Sequence, residues 1–153
     1  MQKIKDRQEL IENTGAYAPF LIFPEGTTSN GTCLLKFRKG AFYSEKKVRP
    51  IYMKFKYSTM SPAYDILDFL PLVILNLCLC CFSCVLTILP DFEPNDYLFE
   101  THKNKGKERW EIFAWAIRDI IQKNGEFGIC EMSMREKDDY YKFMNGYYDK
   151  LNY

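Results

Sequence analysis

The sequence predicts an α/β domain, a mixed sheet with flanking helices, and three observations carry that expectation. Residues 107–124 place Trp110, Phe113, Ala114, Ile117, Ile120 and Ile121 at the i, i+3, i+4, i+7 spacing of an amphipathic helix. Residues 48–57 alternate Ile51, Met53 and Phe55 with polar neighbours, the period-2 pattern of a strand. Segments of the two kinds interleave along most of the chain, as they do in α/β proteins. With 153 residues, the chain is long enough for one compact unit and too short for two of ordinary size.

Taken in order, residues 3–13 set Ile4, Leu10 and Ile11 on one helical face, and Thr14-Gly15 ends that helix. Residues 19–23 hold the apolar run Phe20-Leu21-Ile22-Phe23 between turn formers, which predicts a short buried strand. The loop Pro24-Glu25-Gly26-Thr27-Thr28-Ser29-Asn30-Gly31 follows at its carboxyl end, where ligands bind in open α/β sheets. Residues 37–43 suit a short helix weakened by Gly40. From Phe69 to Leu89 there are 21 uncharged residues, a length that would allow a membrane-spanning helix. Pro71, Asn76 and Ser83 interrupt the stretch, and neither flank carries Lys or Arg. An apolar helix over 65–80 followed by a buried strand over 82–89 is the favoured reading, and the helix is compatible with a membrane surface. Residues 127–132 suggest a last strand. A charged, Tyr-rich tail follows, with Tyr140, Tyr141, Tyr147 and Tyr148, and reads as an amphipathic helix or docking extension.

Composition narrows the function classes. Hydrophobic residues make up 47% and aromatics 16%, which excludes a disordered chain. The net charge of +1 provides no global field for nucleic acid, so none is expected as a partner. The polar, charged start predicts no signal peptide. Four of the six cysteines crowd into Cys78, Cys80, Cys81 and Cys84, which is not the spacing of a disulfide framework and points to reduced thiols. The cluster lacks the two separated knuckles of a structural zinc site, so no metal is expected. Buried or lipid-facing thiols are the expectation, with acylation of one conceivable where the helix meets membrane.

The near-zero total hides an asymmetry. Between Lys36 and Lys56 lie eight cations and one anion, Glu45, so this segment carries +7 and the remainder −6. Just upstream, Gly26 and Gly31 allow close backbone approach to a ligand, and Thr27, Thr28, Ser29 and Asn30 offer donors. Glu25 is placed to hold a hydroxyl or brace the loop. A donor loop beside a basic segment suits a phosphate-bearing substrate. A solvated basic strand edge that resists aggregation is the competing reading.

These residues resemble a known family. The run Phe23-Pro24-Glu25-Gly26-Thr27-Thr28-Ser29-Asn30-Gly31 is similar to the Glu-Gly-Thr/Ser block of the phospholipid/glycerol acyltransferases, in particular the eukaryotic lysophosphatidylcholine acyltransferase branch. Leu35-Lys36-Phe37-Arg38-Lys39-Gly40-Ala41-Phe42 resembles the block that follows, and Val48-Arg49-Pro50-Ile51 the proline-centred block after it. The segment ending at Leu89-Pro90 and the helix with Ile112-Phe113-Ala114 and Ile117-Arg118 fall in family order, so the likeness runs over about residues 17–135. The resemblance implies transfer of a fatty acyl group from acyl-CoA to a hydroxyl of a lysophospholipid or acylglycerol phosphate, with acyl-CoA as donor substrate and no cofactor. It implies that Glu25, Gly26, Thr27, Thr28, Ser29 and Asn30 bind the acceptor. Arg38 and Lys39 would meet its phosphate or the acyl-CoA, and Val48 and Pro50 would shape the acyl site.

The family's catalytic His-x4-Asp pair has no counterpart in these residues. The single histidine, His102, lies downstream in a polar loop with Lys107 five positions later, and reads as an exposed loop histidine. The upstream acceptor block with its Arg has no counterpart either. The expectation is therefore a partial acyltransferase domain over 1–135 lacking its amino-terminal catalytic portion, followed by a tail over 136–153. On its own this chain is expected to bind acceptor and membrane surface without turnover. Residence on the cytoplasmic face of a membrane such as the endoplasmic reticulum is implied. A non-catalytic paralogue that binds anionic lipid or scaffolds a membrane complex is the alternative.

Overall fold

A computed structural model describes residues 2–14, 18–58, 69–79, 82–144 and 146. Its elements run α1 (Gln2–Thr14), β1 (Cys33–Leu34), a 3-10 turn (Lys39–Ala41), β2 (Ile51–Tyr57), α2 (Phe69–Leu79), β3 (Phe82–Ile88), α3 (Asp96–Thr101), a second 3-10 turn (Lys103–Lys105), α4 (Arg109–Gly125), β4 (Gly128–Ile129) and α5 (Met134–Met144). The fold is mixed α/β. The expected single mixed sheet is replaced among the described residues by two two-stranded ones. Strands β1 and β4 pair in parallel, Cys33 opposite Gly128 and Leu34 opposite Ile129. Strands β2 and β3 pair antiparallel from Ile51–Ile88 to Tyr57–Phe82.

Helix α4 organises the core because its apolar stripe is buried along the length of the helix, from Ile112 to Ile121. Phe113 is fully buried, and Ile112, Ala114, Ile117 and Ile121 pack with Phe37, Phe42, Leu89, Phe99 and Phe127. Phe42 meets Phe113 edge-on at 5.3 Å between ring centres, and Phe92 stacks on it at 5.9 Å. The start of α4 is secured by Glu111, whose carboxylate accepts from the backbone N–H groups of Lys107 and Glu108. Its end differs from the expected Asn124-Gly125 stop. The helix includes Gly125, and the left-handed residue is Glu126, at φ 53°. Gly125 is required by close approach, since a Cβ there would stand 2.2 Å from the Phe127 ring.

The continuous apolar stretch divides into helix and strand at the expected place, and no described helix is long and apolar enough to cross a membrane. Helix α2 starts at Phe69, and residues 65–68 and Cys80 of the expected helix lie outside the described residues. Pro71 sits in its first turn, where a missing N–H leaves no hydrogen bond unmade. The expectation that 82–89 is buried fails: β3 is exposed along nearly its whole length and only Leu89, beyond its end, is buried. Tyr52 explains the orientation. Its ring packs edge-on against Phe127 at 5.5 Å and its hydroxyl donates to the Asn124 carbonyl, so the Tyr52–Lys54 side of β2 faces α4. Ile51, Met53, Phe55 and Tyr57 therefore point the other way, beside Phe82, Cys84, Leu86 and Ile88, and form an open apolar face.

Two further expectations change. Residues 19–23 form no strand, and Leu21 is 69% exposed. Pro19 and Pro24 offer no N–H, and the only described strand nearby, β1, pairs with β4 instead. Helix α3 was not expected, although Asn95 caps it by accepting from the Leu98 N–H.

We expect Gly125→Ala to destabilise the fold by about 1–3 kcal/mol, because the added methyl must displace Phe127 from the core. Glu126→Gly should raise the melting temperature, since it relieves a left-handed side-chain residue at no cost in contacts. Thermal unfolding of both variants checks the pair.

Candidate functional site

The loop at 24–31 is held from three sides. Its turn closes with the Gly26 N–H donating to the Phe23 carbonyl at 3.2 Å, and Gly26 sits at φ 71°. The Arg38 N–H donates to the Pro24 carbonyl at 2.8 Å. The Arg38 side chain lies directly over Gly26, where a Cβ would come within 2.7 Å of it. Glycine is thus needed here twice, for its backbone angle and for the guanidinium above it.

Glu25 turns inward. Its Oε1 accepts from the Leu35 N–H at 3.0 Å, which ties the loop to the strand segment after β1. Burial pushes its carboxyl up from the ordinary value, while the Leu35 bond and the charges of Arg118 and Lys137 pull it down. Glu25 is thereby a brace for the loop.

Arg118, 8% exposed on α4, stands behind this arrangement. Its Nη2 donates to the carbonyls of Leu34, at 2.9 Å, and Cys130, and its Nη1 to Glu131 Oε1 at 2.9 Å. One guanidinium therefore joins α4 to both members of the parallel pair. Sequence reasoning missed this role. The signal was a cation at position 118, between Ala114 and Ile121 on the apolar stripe, where burial obliges it to find acceptors.

The remaining loop donors are partly used within the loop. Thr27 Oγ1 donates to the Thr28 carbonyl at 3.4 Å, Ser29 Oγ accepts from the Gly31 N–H at 3.3 Å, and Asn30 Oδ1 accepts from the Thr32 N–H and hydroxyl. Helix α5 covers them from outside: Lys137 donates to the Thr28 carbonyl. Arg38 Nη1 also reaches Met134 Sδ at 3.3 Å.

The structure brings Glu25, Gly26, Thr27, Thr28, Ser29, Asn30 and Arg38 together and sends Lys39 elsewhere. Lys39 Nζ bonds Glu108 at 2.7 Å and lies over the Tyr43 and Trp110 rings, and it holds the Glu108 carboxyl below its ordinary range. Val48 and Pro50 belong to the lead-in of β2. Val48 exchanges backbone hydrogen bonds with Phe92, and the buried Pro50 accepts from the Leu89 N–H. His102 ends α3 half-buried, its ring 5.0 Å from that of Trp115 and its Nδ1 3.2 Å from the Leu98 carbonyl, so it is a packed helix cap and not the exposed loop residue expected. Cys33, Cys78, Cys84 and Cys130 are free thiols. Cys78 and Cys84 are exposed, which removes the expectation of burial and leaves that of lipid contact, and Cys80 and Cys81 lie outside the described residues.

Curated proteins similar to this chain share one activity in their names. The lysophospholipid acyltransferase LPEAT1 of Arabidopsis thaliana is 28% identical over 143 residues, 94% of this chain and 34% of the relative. Lysophosphatidylcholine acyltransferase 1 of Homo sapiens is 30% identical over 145 residues, 89% of this chain and 25% of the relative. The lysophosphatidylcholine acyltransferase of Drosophila melanogaster is 33% identical over 95 residues, 61% of this chain and 18% of the relative. The chain spans about a third or less of the length of these relatives. No protein-family model and no solved structure matches it. Similarity sustained over about nine tenths of the chain, across plant and animal relatives, is consistent with a partial domain of the acyltransferase family.

Proposed function

We propose that this chain is the acceptor-binding part of an acyl-CoA-dependent glycerophospholipid acyltransferase acting in phospholipid synthesis or remodelling. The reading is carried by sequence similarity to named lysophospholipid acyltransferases over 94% of the chain. Its acceptor is a lysophospholipid or acylglycerol phosphate, engaged by the loop from Glu25 to Asn30 with Arg38 beside it. The general base that deprotonates the attacking hydroxyl comes from outside these 153 residues. His102, the one histidine, is committed to Leu98 and Trp115 and has Lys107 five positions on.

The exposed apolar surface supports a membrane role. Ile51, Met53, Phe55, Tyr57, Phe82, Leu86 and Ile88 are each 40–58% exposed on one ribbon face, and α2 adds Phe69, Leu70, Ile74 and Leu77. No charge interrupts either surface. A contiguous patch of this kind marks a partner. Lipid is the partner proposed, met by the apolar side chains of this face, while Lys54 and Lys56 point to the opposite side of the ribbon. The cytoplasmic face of the endoplasmic reticulum is the proposed location.

Three measurements test this reading. The purified chain should bind lysophospholipid without transferring acyl groups from acyl-CoA. Turnover by these residues alone, abolished by Glu25→Ala, would show that they contain their own base. The chain should also co-sediment with phosphatidylcholine vesicles containing anionic lipid, and Met53→Glu with Leu86→Glu should reduce this by about tenfold. Undiminished sedimentation of that double variant would remove the ribbon from the membrane contact. The third concerns Glu25 as a brace. Because burial raises its folded pKa, ionisation costs the fold more than the unfolded chain. The stability it contributes is thus fully present at low pH and is lost as pH rises through the folded value. Glu25→Gln keeps an acceptor for Leu35 without the charge and should melt higher than the wild type at pH 7, the gap closing at about pH 4. Glu25→Ala leaves the Leu35 N–H unpaired and should cost about 1–3 kcal/mol at either pH.

A further inference from the structure

Three asparagine–glycine pairs occur in the chain, Asn30-Gly31, Asn124-Gly125 and Asn145-Gly146. Before a glycine, the backbone nitrogen that follows reaches the asparagine side-chain carbonyl most easily, because no Cβ obstructs it. The fold treats the pairs differently. Gly125 is buried inside α4, where helical geometry engages its N–H, and Asn124 Nδ2 donates to the Ile120 carbonyl at 2.8 Å. Asn145 lies outside the described residues. Asn30 and Gly31 are exposed and belong to neither helix nor strand.

The groups around Asn30 are arranged for attack on its side chain. Asn30 Oδ1 accepts from the Thr32 N–H at 3.1 Å and from the Thr32 hydroxyl at 2.8 Å. A turn of this kind curls the side chain over the next backbone nitrogen, that of Gly31. The two donors also draw electron density from Cγ and stand where charge would develop on Oδ1. The Gly31 N–H donates to Ser29 Oγ at 3.3 Å, so an acceptor for its proton is in place. Asn30 Nδ2 makes no hydrogen bond among the described residues, and its departure breaks no other contact. Gly31 sits at φ 76°, and a Cβ there would meet nothing within 4 Å, so water has access.

We propose that Asn30-Gly31 is a self-modifying site, at which the loop promotes conversion of its own Asn30 to aspartate and isoaspartate. The Gly31 nitrogen attacks Asn30 Cγ, and Oδ1 takes the charge in the tetrahedral adduct. The Gly31 proton passes by way of Ser29 Oγ to Nδ2. The Cγ–Nδ2 bond then breaks, and ammonia leaves behind a succinimide ring. Water opens the ring at the side-chain carbonyl to give isoaspartate's isomer, aspartate, or a shifted backbone when it attacks the main-chain carbonyl. Only water is consumed, and no atom changes oxidation state. Each event adds one negative charge to the loop. The chemistry stands apart from the acceptor-binding reading, and only its consequence rests on that reading: a carboxylate at position 30 repels a phosphate-bearing acceptor, so affinity falls as the molecule ages.

Mass-spectrometric peptide mapping of the full chain, aged at neutral pH, tests the chemistry. Asn30 should convert at least about tenfold faster than Asn124, and about three- to tenfold faster in the folded chain than in the same chain unfolded in urea. Thr32→Val removes one donor to Oδ1 and should slow the reaction about three- to tenfold, while Thr32→Ser should retain it. Conversion of Asn30 no faster in the folded chain than in the unfolded one would overturn the proposal, as would Asn124 keeping pace with it or Thr32→Val reacting at the wild-type rate. The consequence is read separately, by calorimetry with a short-chain lysophosphatidic acid below its micelle concentration. Asn30→Asp should bind about tenfold more weakly than the wild type at low salt, with the gap narrowing as salt is added. Equal affinity would overturn the charge effect. A wild type that does not bind this ligand at all would overturn the acceptor-binding reading, while the conversion rates still decide the site.

Discussion

The guanidinium of Arg118 is a charge that α4 carries into the interior, and it organises what surrounds it. Taking a cation out of water costs several kcal/mol unless its protons are matched. Here two backbone carbonyls, Leu34 and Cys130, and the Glu131 carboxylate match the two Nη groups, while the buried Nε–H is left without a partner. Glu131 is largely exposed, so the carbonyls are the stronger tie. They belong to segments far apart in sequence, one leaving β1 and the other leaving β4, and one residue thus registers the parallel pair against the core helix. Glu25 enters the same neighbourhood through the Leu35 N–H, and Arg118 helps to offset the burial of its carboxylate. The loop is placed by this buried polar network and not by a strand leading into it.

A second constraint is electrostatic and acts at the surface. The +7 segment is answered largely by acids from the −6 remainder. Lys39 pairs with Glu108, and Lys47 and Arg49 pair with Asp91. In the opposite sense, Glu45 takes Arg109, which also lies 3.8 Å over the Phe99 ring. The arginine fork on Asp91 holds that carboxyl below its ordinary range. Most of these groups are exposed, with Lys39 and Glu45 half-buried, and each pair alone contributes little. Together they align the segment around the first 3-10 turn with the start of α4, which leaves Arg38 as the cation beside the loop. Three of the eight cations of the basic run, Lys39, Lys47 and Arg49, thus act as an internal docking strip.

The degree to which the sequence disclosed this follows from how local each signal is. Helix α4 was legible because its apolar stripe is written within 20 residues, although its end falls one residue later than the Asn124-Gly125 stop suggests. The break of the apolar tract into α2 and β3 was legible for a similar reason, since Pro71 and the strand formers Val85, Thr87 and Ile88 act on their neighbours. Periodicity identified the face of β2 but not its direction. Tyr52 decides the direction by reaching Phe127 and Asn124, more than 70 positions away, and so the apolar residues turn outward. Phe20–Phe23 had strand composition and no partner. The loop residues were found from their types alone, yet the divergence of Arg38 from Lys39, adjacent in sequence, depends on Glu108 lying near one and Gly26 near the other. Lys137 carried no sequence signal toward the loop at all.

Under the proposed membrane role, the open ribbon face would limit how this chain meets lipid. Strands β2 and β3 pair only with each other among the described residues, so the outer edge of each presents backbone donors and acceptors with no strand to take them. Such edges cannot be carried into hydrocarbon, where each unmatched group costs several kcal/mol. Contact through the ribbon is therefore confined to side chains at the depth of the headgroups. Helix α2 is different, because its backbone bonds are internal and Asn76 returns its amide to the Leu72 carbonyl. It can sit deeper with Phe69, Leu70, Ile74 and Leu77 in the acyl layer. A ribbon at headgroup depth would keep its Tyr52–Lys54 side toward α4 and keep the body of the domain, with the Glu25 loop, out of the hydrocarbon. That is the level at which the phosphate of a single-chain phospholipid lies, so under the proposed function a polar, braced loop and an uncharged face would serve one geometry: the lipid tail would stay in the bilayer and only its head would leave it.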